Sequence, residues 1–302
     1  MNKLALANLK SLPYGGAQYV INASREQFVR DSIKEVADDC LFDTTVHTRF
    51  IEEYRQWITA GTLNVMQGLE QFPIAAFSAG TTEAFDKFYL KNQTRRIRYF
   101  RGEYMYHQIA GRNYFERSEY IEDSTLGSND VVVISLPFAD TGGAHPDMKS
   151  VLEQCERLDI PVLVDCAYFG ICADILFNFN YSCISDITFS LSKSFPVPHL
   201  RIGMRLTRTD DDDTLLVSNK TQYINRISAA VGLKVLNKYN ADSIYLQYAE
   251  TQNLFCAELG VNPSPCVIFG IDVNNAYPQY KRGAQTNRLC FAKYLDSGKL
   301  PE

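Results

Sequence analysis

The stretch that decides the fold is "DVVVISLPFADTGGAHPDMKSVLEQCERLDIPVLVDCAY", residues 130–168. It opens on a β-branched run, Asp130–Phe138, of the kind that fills a buried parallel strand. A turn follows. Residues 145–160 then place Met148, Val151, Leu152 and Cys155 on one helical face. Pro161–Tyr168 is a second apolar strand. Strand, helix, strand at this spacing is a crossover unit, which joins neighbours of a parallel sheet.

The pattern extends in both directions. Upstream, "FPIAAFSAG" (72–80) reads as a strand ending in a turn, and "TTEAFDKFYLKN" as a helix with Phe85, Phe88 and Tyr89 inward. "RRIRYF" (95–100) reads as a polar strand. Downstream, "ISDITFSLS" and "LRIGMRLT" read as two further strands. The acidic run Thr209–Asp213 reads as a solvated loop between two strands. The expected fold class is α/β: a three-layer α/β/α arrangement around a mostly parallel sheet. Residues 41–225 are expected to form the large domain. Residues 1–40 and 226–302, with longer helical patterns and isolated strands such as "CVIFGIDV", are expected to form a small, discontinuous α+β domain.

Composition narrows the classes. The chain has 302 residues, 46% of them hydrophobic and 22% charged, with a formal net charge of −5. That charge argues against a protein that coats nucleic acid. No run of about 18 apolar residues offers a membrane span. The eight cysteines are scattered, without a C-x-x-C pair, and most lie in apolar runs. They read as buried thiols of a reducing, cytoplasmic compartment. The four histidines show no metal-ligand spacing, so no metal is expected.

Ligands of open α/β sheets bind beyond the carboxyl ends of the strands. Chemistry-bearing residues gather at those ends here. Lys193 follows a strand in "SLSK", between Ser192 and Ser194, with Ser190 before it and Arg201 eight residues later. A lone lysine is ordinarily a solvated charge. An ε-amine in such a setting can instead form a Schiff base with a carbonyl, the aldehyde of pyridoxal phosphate being the common case. Hydroxyls and a guanidinium suit its phosphate. Asp165 ends a buried strand, where a carboxylate needs a partner: a cap, a salt bridge or a protonated pyridine nitrogen. Tyr168 could reach a phenolic oxygen or pack in the core. "SAGTT" makes a strand–helix turn whose free backbone N–H groups can hold an anion. Arg288, in "NRLCFAKYL", could grip a carboxylate or lie at the surface.

Taken in order, "AGT" at 79–81, "DCAY" at 165–168, "SLSK" at 190–193, Arg201 and Arg288 resemble the motifs of the class I/II aminotransferases, pyridoxal-phosphate enzymes of fold type I. The resemblance covers roughly residues 40–293. It implies a homodimer using pyridoxal 5'-phosphate to exchange an amino acid and a 2-oxo acid. It implies Lys193 as the Schiff-base lysine, Asp165 on the ring nitrogen and Tyr168 on the phenolic oxygen. Ala79, Gly80, Thr81, Ser190, Ser192 and Arg201 would surround the phosphate, Tyr104 would stack on the ring, and Arg288 would bind the substrate carboxylate. The sequence departs from the family at the Asn-Pro-Thr-Gly loop, which reads "FADTGG": the Asn position is Ala139. One hydrogen bond to the cofactor is thereby lost, unless Asp140 or another residue compensates. The alternatives are another reaction of the same cofactor (elimination, decarboxylation, racemisation or oxidation) and a non-catalytic relative.

Overall fold

The computed structural model describes residues 18–210, 213–284 and 286–300. Two helices come first, α1 (Ala23–Val36) and α2 (Val46–Ala60), then a short strand β1 (Val65–Gln67). β2 (Ile74–Ala79) runs straight into α3 (Gly80–Asn92), followed by β3 (Arg96–Tyr99), α4 (Met105–Tyr114) and β4 (Ser118–Tyr120). The crossover unit forms as its pattern requires: β5 (Asp130–Ser135), α5 (Met148–Arg157) and β6 (Val162–Cys166). β7 (Leu176–Asn178), β8 (Ile184–Ser190) and β9 (Ile202–Thr207) follow. The chain closes with helices α6 (Thr214–Lys220), α7 (Arg226–Lys238) and α8 (Ser243–Leu259) and with strands β10 (Asn262–Pro263), β11 (Phe269–Asp272) and β12 (Asn287–Cys290).

Seven strands form one sheet in the order β2-β9-β8-β6-β5-β3-β4. β9 alone among them runs antiparallel to its neighbours β2 and β8. Alternation along the central strands builds the layers. Val131 and Val133 of β5 and Leu163 of β6 pack with Phe85, Phe88 and Tyr89 of α3. Val132, Ile134, Val162 and Val164 face the other way, toward Met148, Val151, Leu152 and Cys155 of α5. Side chains of period two thus bury both faces under helices.

The polar strand at 95–100 has a physical reason. Arg96 and Arg98 of β3 both pair with Asp130 at the start of β5, at 2.6 and 2.9 Å. Arg98 is fully buried and also donates to the carbonyls of Tyr120 and Ser124, tying the edge strand β4 to the sheet. β4, β1 and β7 have only three residues each, too few for a sequence pattern to show.

One expectation is corrected. The acidic run leads not into another strand but into α6. Asp213 caps that helix by accepting from the Leu215 and Leu216 amides, both at 2.9 Å, as a side-chain oxygen at an N-cap does. Asp211 and Asp212 lie outside the described residues. β1 and β7 pair as a two-stranded parallel sheet, and a three-stranded antiparallel sheet, β10-β11-β12, packs against α8 near the end of the chain.

Candidate active site

The register of the sheet brings distant residues side by side. Ser135 at the end of β5 pairs with Asp165 on β6, and Asp165 with Thr188 on β8. Ser190 closes β8 opposite Gly203, and Lys193 sits in the turn beyond it. These carboxyl ends open onto a cavity of about 370 Å³. Of the residues singled out by sequence, Thr81, Tyr104, Asp165, Tyr168, Ser190, Ser192, Lys193 and Arg201 line it. Ala79, Gly80 and Arg288 do not.

One end of the cavity is built for an anion. α3 begins at Gly80 with no side-chain cap, so its first N–H groups are left for a ligand. The Arg201 guanidinium lies across this turn, donating to the Ala79 carbonyl and to Thr82 Oγ1, each at 3.1 Å. Gly80 adopts φ of +73°, and a Cβ there would run into that guanidinium; glycine meets both demands. On β9, Gly203 performs a related task, since its added Cβ would lie 2.8 Å from the Gly80 backbone. Ser190 Oγ donates to Ser192 Oγ at 3.0 Å and accepts from the Ser192 amide.

The other end is acidic and buried. Asp165 is buried and accepts from the Ala167 amide at 3.0 Å and from Thr188 Oγ1 at 3.5 Å. His107 Nε2 lies 3.9 Å from its second oxygen. That imidazole is buried, its Nδ1 2.5 Å from the Tyr89 hydroxyl, and burial holds it down to about 3, so it stays neutral. Burial, with Glu103 nearby, pushes Asp165 up to about 7. Lys193 is shifted the other way, to about 8, by burial and by the Arg288 charge. Its Nζ stands 6.0 Å from the Tyr168 ring centroid.

The departure at Ala139 is visible in the fold. Ala139 lines the cavity with a methyl group only. Asp140 does not replace the missing donor. Its carboxyl accepts from Thr286 Oγ1 at 3.0 Å and faces Arg282 Nε at 3.8 Å. Arg288, on β12, is buried, donates to the Ala139 carbonyl and lies 4.0 Å over the Phe269 ring. It sits behind the Ala139 loop rather than on the cavity wall.

These residues fit the cofactor implied by the sequence. A cationic ring nitrogen would satisfy Asp165, beside which the His107 imidazole is neutral. The α3 turn with Arg201 matches a phosphate. A buried amine that deprotonates near neutrality matches an aldehyde. Among the described residues, no group of three or more His, Cys, Asp or Glu is arranged to hold a metal ion.

Sequence reasoning passed over Ser135, Glu103, His107 and His199, and the segment Gln18–Ile21 that reaches the cavity mouth. Ser135 had the same signal as Asp165: a polar residue closing a β-branched run. His107 follows Tyr104 by three, on one side of α4. Nothing local marks Gln18–Ile21, whose place depends on contacts such as Ile21 N to Ala292 O at 3.2 Å.

No family model matches the chain, and no curated protein matches it in sequence. Solved structures do match in shape. Tyrosine aminotransferase from Leishmania infantum superposes with a TM-score of 0.68 at 13% identity, over 99% of this chain and 96% of that one. Kynurenine aminotransferase from Pyrococcus horikoshii, solved in complex with PMP, gives 0.66 at 15% over 98% and 89%. The PLP-bound C-S lyase from Staphylococcus hominis gives 0.65 at 10% over 94% and 87%. At such identities the likeness concerns architecture, and the chain has the fold-type-I architecture of these aminotransferases and of this lyase.

Proposed function

We propose that this protein is a pyridoxal-phosphate-dependent aminotransferase that exchanges an amino acid with a 2-oxo acid. The observation that carries the reading is the meeting of Lys193, Asp165, Thr81 and Arg201 around one cavity. Their chemistry is complementary to an aldehyde, a pyridinium and a phosphate in turn. The cofactor, when bound, would act as an electron sink for charge developing at the substrate α-carbon.

The chain's own residues would do the rest. Thr81, Arg201, Ser190 and Ser192 would hold the phosphate. Asp165 would keep the ring nitrogen protonated, with neutral His107 behind it. Tyr168 would face the phenolic oxygen and Tyr104 the ring. The Lys193 amine would be the covalent anchor, and once released it would carry the proton to and from the α-carbon. An amine that loses its proton near pH 8 suits that task. Arg288 would meet the substrate carboxylate after giving up the Ala139 carbonyl.

Elimination by the same cofactor is the second reading. Ala139 removes a donor from the cavity wall, and a C-S lyase shares the architecture. A homodimer agrees with the exposed Leu41 and Phe42, the latter 85% exposed. A cytoplasmic setting agrees with eight free cysteines, seven of them buried. No helix among the described residues is long and apolar enough to cross a membrane.

An absorbance spectrum with added pyridoxal phosphate tests the reading. The wild type should develop a visible band that borohydride abolishes, and Lys193→Ala should not. A panel of amino acids then separates the two reactions. Conversion of the cofactor to its amine form marks transamination, and release of ammonia marks elimination. A Lys193→Ala variant with the wild-type band and turnover would overturn the assignment.

A further inference from the structure

The cavity wall between Ala139 and Asp165 is short of a donor, and Ser135 stands there. Its side chain belongs to a closed set of hydrogen bonds. Ser135 Oγ accepts from the Ala139 amide at 3.0 Å and is bonded to Glu103 Oε2. Glu103 Oε1 accepts from the Ser135 amide at 2.7 Å, and Oε2 from the Tyr104 amide at 3.1 Å.

A hydroxyl has one hydrogen and two lone pairs. With Glu103 ionised, Ser135 spends that hydrogen on Glu103 and presents none to the cavity. With Glu103 neutral, the acid proton is given to Ser135 Oγ. The two lone pairs then take Ala139 N–H and Glu103 O–H, and the serine hydrogen is free to turn outward. Every other bond of the set survives the change. Glu103 is 1% exposed.

The charges around Glu103 favour the neutral form. Asp165 on β6 and Asp140 after β5 are of its own sign. His107 on α4 is neutral, and the Lys193 charge acts on Asp165. Burial, with Asp140 adding, raises Glu103 to about 7.

We propose that neutral Glu103 turns Ser135 into a hydrogen-bond donor for the cofactor, supplying from the end of β5 the donor that Ala139 lacks. Glu103 is thus a positioning residue and Ser135 a binding residue. The inference rests on the cofactor assignment made above.

The test is pyridoxal-phosphate affinity measured by absorbance titration from pH 6 to 9. Wild type, Ser135→Ala and Glu103→Gln are compared, with circular dichroism to confirm folding. A Gln amide donates to Ser135 Oγ at every pH. Glu103→Gln should therefore hold its pH 6 affinity to higher pH than wild type does. Ser135→Ala should bind about tenfold more weakly at pH 6, the loss of one hydrogen bond. Equal affinity of Ser135→Ala and wild type at pH 6 would overturn the proposal. So would a Glu103→Gln profile that tracks the wild type, as a purely structural Glu103 would give. A wild-type chain that takes up no cofactor would overturn the functional reading itself, and this proposal with it.

Discussion

At the scale of the residue, the site is a set of groups moved from their ordinary ionisation by burial. Asp165 shows the consequence for stability. Its carboxyl is held up to about 7 by desolvation first and by Glu103 second. A group whose folded value is raised binds its proton more tightly in the folded chain. The stability it contributes is full below the unfolded value, near 4, and is lost as pH rises to about 7. In the cofactor-free protein, Asp165→Asn should remove this dependence. At pH 8 the variant should be more stable than wild type by on the order of 2 kcal/mol, read from urea unfolding. It should also lose most cofactor affinity. A variant less stable than wild type at pH 8 would mean that Asp165 is already compensated in the empty chain. The site therefore carries a local instability that its ligand relieves.

At the scale of the element, β9 holds the anion turn in place. It runs against both neighbours and brings Arg201 back over the start of α3. Gly203 permits the close approach: a methyl group would lie 2.8 Å from Gly80 and 2.9 Å from the Phe189 carbonyl. Gly203→Ala should destabilise the protein by roughly 2 kcal/mol and weaken phosphate binding together. Thermal unfolding beside a cofactor titration reads both, and loss of neither would show that β9 can shift without consequence. The strand itself was legible as "LRIGMRLT", but its direction was not. Apolar alternation reports burial, whereas direction is decided by which neighbours the chain reaches. The helices α3 and α5 were legible because their apolar residues recur at helical spacing over three turns. The helix α6 was hidden by the acidic run that caps it.

At the scale of the molecule, one cavity joins segments from Gln18 to Arg201. A ligand that binds them in the folded chain alone must stabilise the whole fold. At a hundredfold excess over its dissociation constant the gain is about 2.7 kcal/mol. For a chain of this length that is a rise in melting temperature of roughly 5 °C. Pyridoxal phosphate should produce such a rise in the wild type and a much smaller one in Lys193→Ala. No rise at saturating cofactor would speak against this cavity as its site.

The order of β2, α3, β3, β5, α5, β6, β8 and β9, the turn at Gly80 and the placing of Asp165, Ser190 and Lys193 at or just past strand ends were determined by the sequence alone. Each depends on periodicity or on neighbours a few residues apart, and such interactions are written locally. Three things were decided only by the tertiary structure. Asp140 turned to Thr286 and Arg282, away from the cavity. Arg288 settled behind the Ala139 loop. Glu103 came to rest on Ser135, beside a second buried carboxyl. Each pairs groups that lie 32 to 149 positions apart in the chain. A buried polar group takes whatever partner packing brings to it, and that choice is made by the fold as a whole.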